Sequence, residues 1–399
     1  MDTTMRRVCS RWQLLEHWRY LRGLGERAAA PRDWQPGRNQ FRYLIRGQSP
    51  NHFSPNRGYC TKQAGNSENH LRRITIRDIQ RMHEERVPIC MVTAYSYPQA
   101  LHADLAAVDI VLVGDSLAMV ELGHDTTQFV TLDDVLHHCR AVARGCRRAL
   151  LLADMPFGTC ETSTADALRN VTRMIQEGHA HGVKIEGGKR MAPVIEACVH
   201  SLGVAVMGHV GLRPQSYSAR GGFRAFGTNA SEAAELLEDA LALQEAGAFA
   251  LVLECVPARL ATAVTTALRI PTIGIGAGGG TSGQVLVYHD LCGMMTHPHH
   301  VKVTPKFCKR FAEAGAEIHR GLVDYRTAVK QRRFPTASYA PYQLPDAEWE
   351  RFGRLFEQLT GQGLQSISAP EDAQTERLDP KHPLSKDTST DETEYLYRS

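Results

Sequence analysis

The chain has 399 residues, of which 43% are hydrophobic, 22% charged and 7% aromatic, and its formal net charge is +3. This composition excludes disordered and collagen-like chains, and 46 basic against 43 acidic residues argues against nucleic-acid binding as the main function. No uninterrupted apolar stretch approaches the ~18 residues that a membrane span needs.

The charge is unevenly spread. Residues 1–70 hold 12 Lys and Arg against 5 Asp and Glu, residues 366–399 hold 4 against 8, and residues 71–365 hold 30 of each. Such asymmetry marks extensions on a folded body. Residues 6–24 can be drawn as a basic amphipathic helix, and Arg57-Gly58-Tyr59-Cys60 resembles a processing site with Arg shortly before the cut. The head has no apolar central region, so it reads as a mitochondrial targeting segment and not as a secretory signal. The ten cysteines form no C-x-x-C pair, and Cys90 lies inside an apolar run. A reducing compartment without a disulfide framework is expected.

In the body, runs rich in Val, Ile and Leu at 89–92, 110–113, 150–153, 183–185, 204–207, 250–253 and 272–275 predict strands, with an eighth candidate at 285–287. Helical periodicity between them predicts helices, among them 132–144, 165–177 and 231–246, the last capped by Ser231. A further helix is expected over 346–365, before a polar, disordered acidic tail over 366–399. Continuous apolar strands alternating with helices predict a parallel sheet covered by helices. The fold class is therefore α/β. A single (β/α)₈ TIM barrel over 71–345 with N- and C-terminal extensions is expected, and a doubly wound open sheet is the alternative.

Polar groups cluster where these strands end. Asp115 and Ser116 follow the second strand, Asp154 the third and His209 the fifth, while Lys184 and Glu186 lie on the fourth and Glu254 ends the sixth. In a barrel these ends converge on one mouth. Lys184 and Glu186 are two residues apart and share a strand face. Three carboxylates brought together, Asp115, Asp154 and Glu186, call for a neutralising cation, and all-oxygen ligation suits Mg²⁺ or a similar divalent ion. Glu254, alone in an apolar run, is expected to have a raised pKa suited to a general base. Cation, ammonium and separate base fit proton abstraction beside a carbonyl. Each group also has a structural reading: a strand-end Asp as a helix cap, Lys-x-Glu as an internal ion pair, His209 as a partner of a backbone carbonyl. Their joint placement favours function. Gly274-Ile-Gly276-Ala-Gly278-Gly279 satisfies G-x-G-x-x-G but follows the seventh strand, so it reads as a barrel loop rather than a dinucleotide site. His297-Pro-His299-His300 likewise reads as a loop.

At these residues the chain resembles the ketopantoate (3-methyl-2-oxobutanoate) hydroxymethyltransferase family. The matching stretches are Val113-Gly-Asp-Ser116, Gly123-His-Asp125, Leu152-Ala-Asp-Met-Pro-Phe157, Val183-Lys-Ile-Glu-Gly-Gly188, Gly208-His-Val-Gly-Leu212, Leu253-Glu-Cys-Val-Pro257 and Gly274-Ile-Gly-Ala-Gly278. Tyr288-His-Asp-Leu and Val303-Thr-Pro-Lys-Phe-Cys308 resemble the eukaryotic, mitochondrial branch. The resemblance implies a barrel that forms homo-oligomers and acts on small molecules, with neither nucleic acid nor membrane as partner. It implies Mg²⁺ on Asp115, Asp154 and Glu186. It implies oxo-acid contacts from Asp115, Ser116, Asp154 and Lys184, and Glu254 as the base; His209, at the same strand ends, is expected as a further substrate-binding residue. The implied reaction moves a hydroxymethyl unit from 5,10-methylenetetrahydrofolate to 3-methyl-2-oxobutanoate, the first step toward pantothenate and coenzyme A.

Two positions depart from the family pattern. Ser96 stands where the family commonly has Asp, and Gly221-Gly-Phe-Arg-Ala-Phe-Gly-Thr228 lacks the usual Gln and following basic residue. The alternatives are another metal-enolate barrel enzyme, of the phosphoenolpyruvate/isocitrate lyase type, and a catalytically silent relative. For the head segment, a fluorescent fusion of residues 1–70 is expected in mitochondria; a fusion that stays diffuse in the cytosol contradicts the targeting assignment.

Overall fold

The computed structural model describes residues 72–216, 218, 225–295, 305–340 and 342–364. The expectations for residues 1–70, for the 297–300 histidines and for the acidic tail lie outside these residues. Among the described residues no helix is long and apolar enough to cross a membrane.

All seven predicted strands form, and an eighth completes them: β1 (Ile89–Thr93), β2 (Ile110–Val113), β3 (Leu150–Asp154), β4 (Gly182–Glu186), β5 (Ala205–Gly211), β6 (Ala250–Glu254), β7 (Thr272–Ile275) and β8 (Gly283–Leu286). Each pairs in parallel with its sequence neighbour, and β8 closes on β1. The closed barrel is thus the fold, and the open sheet is excluded. β8 starts two residues before its predicted position. Its opening Gly283 is required because a Cβ there would strike the Ile89 carbonyl oxygen. That glycine and the exposed Gln284 dilute the apolar signal of the closing strand.

The helices in chain order are α1 (Ile76–Glu84), α2 (Tyr97–Leu105), α3 (Leu117–Val120), α4 (Leu132–Gly145), α5 (Thr164–Gln176), α6 (Ala192–Leu202), α7 (Ala230–Glu245), α8 (Ala258–Ala267), α9 (Tyr288–Leu291), α10 (Ala314–Lys330) and α11 (Asp346–Thr360). Side-chain caps start many of them. Thr75 with Asp78 and Thr131 with Asp134 form capping boxes, and Ser163 accepts from the Asp166 amide. At α7 the cap is Asn229, not Ser231: its side chain accepts from the Glu232 amide. Glu232 reaches back to the Gly227 and Thr228 amides, which fixes the helix start upstream of Ser231.

The strands divide their side chains between two cores. Inward positions Ile89, Met91, Ile110, Leu112, Leu150, Leu152, Met207, Ala250, Val252, Ile273 and Val285 fill the barrel, and Ile79 of α1 joins them from below. Outward positions pack against the surrounding helices. The inward alternation continues upward: Leu150, Leu152, then Asp154, and Ala250, Val252, then Glu254. The same period-two geometry that packs the core therefore aims the last residues of β3 and β6 into the mouth.

The eight described cysteines are free, four of them buried. Helices α10 and α11 lie outside the barrel. Ile318, Leu322, Tyr325 and Val329 on α10, and Trp349, Phe352, Leu355 and Leu359 on α11, are exposed at helical spacing.

Candidate active site

A cavity of about 330 Å³ opens at the C-terminal ends of the strands. All seven site residues read from the sequence line it: Asp115, Ser116, Asp154, Lys184, Glu186, His209 and Glu254. Asp154 is in register with Lys184, and Glu186 with His209.

Lys184 organises the centre. Its Nζ lies 2.9 Å from Asp154 Oδ1, with both side chains almost wholly buried. Apart from this ion pair, Oδ1 has no hydrogen-bond donor among the described residues. The other oxygen, Oδ2, accepts from the Asp115 amide at 3.0 Å. Lys184 also donates to His209 Nδ1 at 3.2 Å. The tautomer of His209 follows from its partners: Nε2 lies 2.8 Å from the Leu212 carbonyl, which can only accept, so Nε2 carries the proton and Nδ1 the lone pair. Burial, then the Lys184 charge, hold the His209 pKa well below the ordinary value, and the ring stays neutral.

Gln215 is a site residue that the sequence does not reveal. It sits in the turn after β5 and is buried. Its amide donates to Glu186 Oε1 at 3.1 Å, and its side-chain nitrogen donates to Asp115 Oδ2 at 2.8 Å and to the Met155 carbonyl at 3.0 Å. It thereby ties two acidic strand ends together. A loop glutamine has no periodic signature, and only its spacing after His209 could have hinted at the role.

Glu254 stands apart. Its Oε2 is 3.4 Å from His209 Nε2, and 17% of its side chain remains exposed. Two backbone features place it. Gly211, in register beside it, has φ +101°, and a Cβ there would strike the Glu254 carbonyl. The next residue, Cys255, has φ 50°, a left-handed conformation costing roughly 1–2 kcal/mol for a side chain with a Cβ. Its carbonyl accepts from the Phe226 amide at 3.1 Å, so the described part of the altered loop is docked beside the base. The other departure is mild: Ser96 caps α2 by accepting from the Gln99 amide, a role Asp fills equally well.

Electrostatically the cluster carries more acid than its one ammonium can neutralise. Burial opposes the Lys184 charge, but Asp154, Asp115 and Glu186 outweigh it and raise the pKa. Burial, opposed by Lys184 and reinforced by Asp115, pushes Asp154 up to about 7. Burial and then Asp115 raise Glu186 well above the carboxylate range. Burial pushes Glu254 up to about 8, against the pull of Lys184.

Among the described residues no three His, Cys, Asp or Glu side chains are grouped so that they could together hold a metal ion. A hydrated Mg²⁺ does not need such a group, because it takes one or two carboxylates and keeps several waters. The donor set fits such an ion: all oxygen, in excess of the positive charge, and with Asp154 Oδ1 lacking a hydrogen-bond donor apart from its ion pair with Lys184.

The protonated carboxyls have a consequence for stability. Groups raised from an ordinary value near 4 bind protons more tightly in the fold than in the unfolded chain. Their stabilising contribution is present below that value and is lost as pH rises through about 7 for Asp154 and about 8 for Glu254. Without divalent cations, the melting temperature is therefore expected to fall progressively between about pH 4 and about pH 8. The fall should be smaller in Glu254→Gln and in the presence of Mg²⁺; a pH-independent melting temperature would contradict these assignments.

The sequence pattern of the family described as ketopantoate hydroxymethyltransferase matches residues 73–337. The chain is 50% identical over 285 residues to "3-methyl-2-oxobutanoate hydroxymethyltransferase 1, mitochondrial" of Arabidopsis thaliana, covering 71% of this chain and 82% of that one. The corresponding protein of Oryza sativa subsp. japonica is 51% identical, over 72% and 79% of the two chains. The 3-methyl-2-oxobutanoate hydroxymethyltransferase of Carboxydothermus hydrogenoformans is 46% identical over 69% of this chain and 97% of its own. Among solved structures, a phosphonopyruvate hydrolase complex with oxalate and Mg²⁺ is similar with a TM-score of 0.44 and 13% identity, over 72% of this chain and 99% of that one. The family pattern spans the residues that build this barrel and line its mouth, half-identical relatives bear the family's name, and the chain is an enzyme belonging to the ketopantoate hydroxymethyltransferase family.

Proposed function

We propose that the chain transfers a hydroxymethyl unit from 5,10-methylenetetrahydrofolate to 3-methyl-2-oxobutanoate, giving 2-dehydropantoate. Its relatives bear the name of that activity. The observation that carries the reading is Glu254: a buried acid pushed up to about 8, on the same cavity as an ammonium and four further carboxylates.

Asp115, Asp154 and Glu186 would together supply the negative charge that holds a hydrated Mg²⁺ or similar divalent cation, which when bound supplies positive charge for the keto and carboxylate oxygens of the oxo acid. Lys184 adds a fixed positive charge at the same place. Neutral His209 holds the Lys184 ammonium from the far side without adding charge. Ser116 presents a hydroxyl to the substrate. Glu254 takes the proton from carbon 3, next to the keto group, and the electron pair spreads onto the keto oxygen. Carbon 3 then bonds to the folate-borne methylene carbon. Water supplies the hydroxyl oxygen, and tetrahydrofolate leaves. Burial of Glu254 makes it a stronger base than a solvated carboxylate and lets it hold and return a proton near neutral pH.

The reading extends to setting. The plant relatives are named mitochondrial, and the basic, acid-poor residues 1–70 support the same compartment. The exposed apolar stripes on α10 and α11 support a homo-oligomer, since monomers rarely expose such faces.

The test supplies Mg²⁺, 3-methyl-2-oxobutanoate and methylenetetrahydrofolate and measures 2-dehydropantoate, with deuterium exchange at carbon 3 followed separately without folate. Glu254→Gln is expected to lose both activities by a factor of at least ~100 while keeping oxo-acid affinity within a few-fold. No exchange in the unaltered chain, or full exchange in Glu254→Gln, would remove Glu254 as the base.

A further inference from the structure

Tyr95 follows β1 and is 1% exposed. Every polar atom it owns has a partner. Its amide donates to Gln99 Oε1 at 2.8 Å, its carbonyl accepts from His138 Nδ1 at 2.7 Å, and its hydroxyl lies 2.7 Å from Ser116 Oγ. Its ring packs on His289, with centroids 5.5 Å apart. Those partners are anchored in turn. Gln99 donates to Glu121 at 2.8 Å, and His289 Nε2 approaches the same carboxylate at 3.3 Å. The loops after β1, β2 and β8 are thus joined around one phenol. A tyrosine kept only for packing needs a single partner for its hydroxyl.

The two hydroxyls form an ordered pair. Burial keeps the Tyr95 hydroxyl protonated, and Ser116 Oγ lies 2.7 Å from it. The Tyr95 proton is then available to Ser116 Oγ, and the Ser116 proton is left for the cavity that Ser116 lines. An anionic oxygen beside Ser116 selects this direction, because it can only accept. Hydrogen bonds aligned in one direction strengthen one another.

We propose that Tyr95 is a positioning residue that makes the Ser116 hydroxyl a one-way hydrogen-bond donor to the anionic oxo acid. The proposal rests on the reading of Ser116 as a substrate contact. Tyr95 itself touches neither substrate nor reacting atoms.

A double-mutant cycle tests it. The unaltered enzyme, Tyr95→Phe, Ser116→Ala and the double variant are compared for kcat and for KM of each substrate, with melting temperatures to establish folding. Phe keeps the ring against His289. Tyr95→Phe is expected to raise KM for the oxo acid about fivefold to tenfold, with KM for methylenetetrahydrofolate unchanged. Ser116→Ala should cost at least as much, and Tyr95→Phe should add nothing in the Ser116→Ala background. An equal further loss in that background, or a normal Tyr95→Phe beside an impaired Ser116→Ala, would overturn the proposal while leaving the substrate reading standing. A fully normal Ser116→Ala would overturn the substrate reading, and the proposal with it.

Discussion

Five carboxylates, Asp290 among them, share the mouth of the barrel with one ammonium, and the rest of the site follows from that imbalance. Asp115, Asp154, Glu186 and Glu254 line the cavity that holds Lys184. Buried charge is tolerated only when paired, protonated or coordinated. The fold uses the first two here: Lys184 pairs with Asp154, and burial raises the pKa of Asp154, Glu186 and Glu254. The third remains open to a divalent ion. His209 is kept neutral by the same surroundings, so it adds no charge and serves Lys184 as an acceptor.

The barrel imposes this imbalance through its simplest property. Inward positions recur every second residue, and below the mouth they are filled by Ile, Leu, Met and Val. One step higher the same positions carry Asp154 on β3 and Glu254 on β6, while on β4 Glu186 follows Lys184, so all of them line one cavity. The loops supply the remainder. Gln215 binds Asp115 to Glu186, and Gly211 clears space beside Glu254. Tyr95 and its partners join three loops behind Ser116. Strand ends thus supply the reactive groups, and loop residues orient them.

This division explains what could be read from the chain alone. Asp154, Lys184, Glu186 and Glu254 were legible because charged residues interrupt apolar runs at fixed phase, and the barrel was legible from the runs themselves. Gln215 and Tyr95 were not, because their partners are distant in sequence: Gln215 reaches Asp115 across 100 residues. The strand at 283–286 was displaced in prediction because its glycine answers a steric demand from β1 that no local pattern records. Asn229 replaced Ser231 as the cap of α7 because Glu232 is held by the Gly227 and Thr228 amides, a contact with the preceding loop. The departure at Ser96 proved conservative once its capping bond was visible, and Ala225–Thr228 of the altered loop is anchored to Cys255 and Glu232.

The excess of acid over base at the mouth is tested most directly by counting protons on metal binding. Isothermal titration of Mg²⁺ or Mn²⁺ into metal-free enzyme near pH 7, in buffers of different ionisation enthalpy, measures both affinity and protons released. Carboxyls held partly protonated near neutrality should give up about one proton as the cation binds, with binding lost in Asp154→Asn. Cation binding at this site with no proton release, or undiminished binding in Asp154→Asn, would contradict the electrostatic basis of the site.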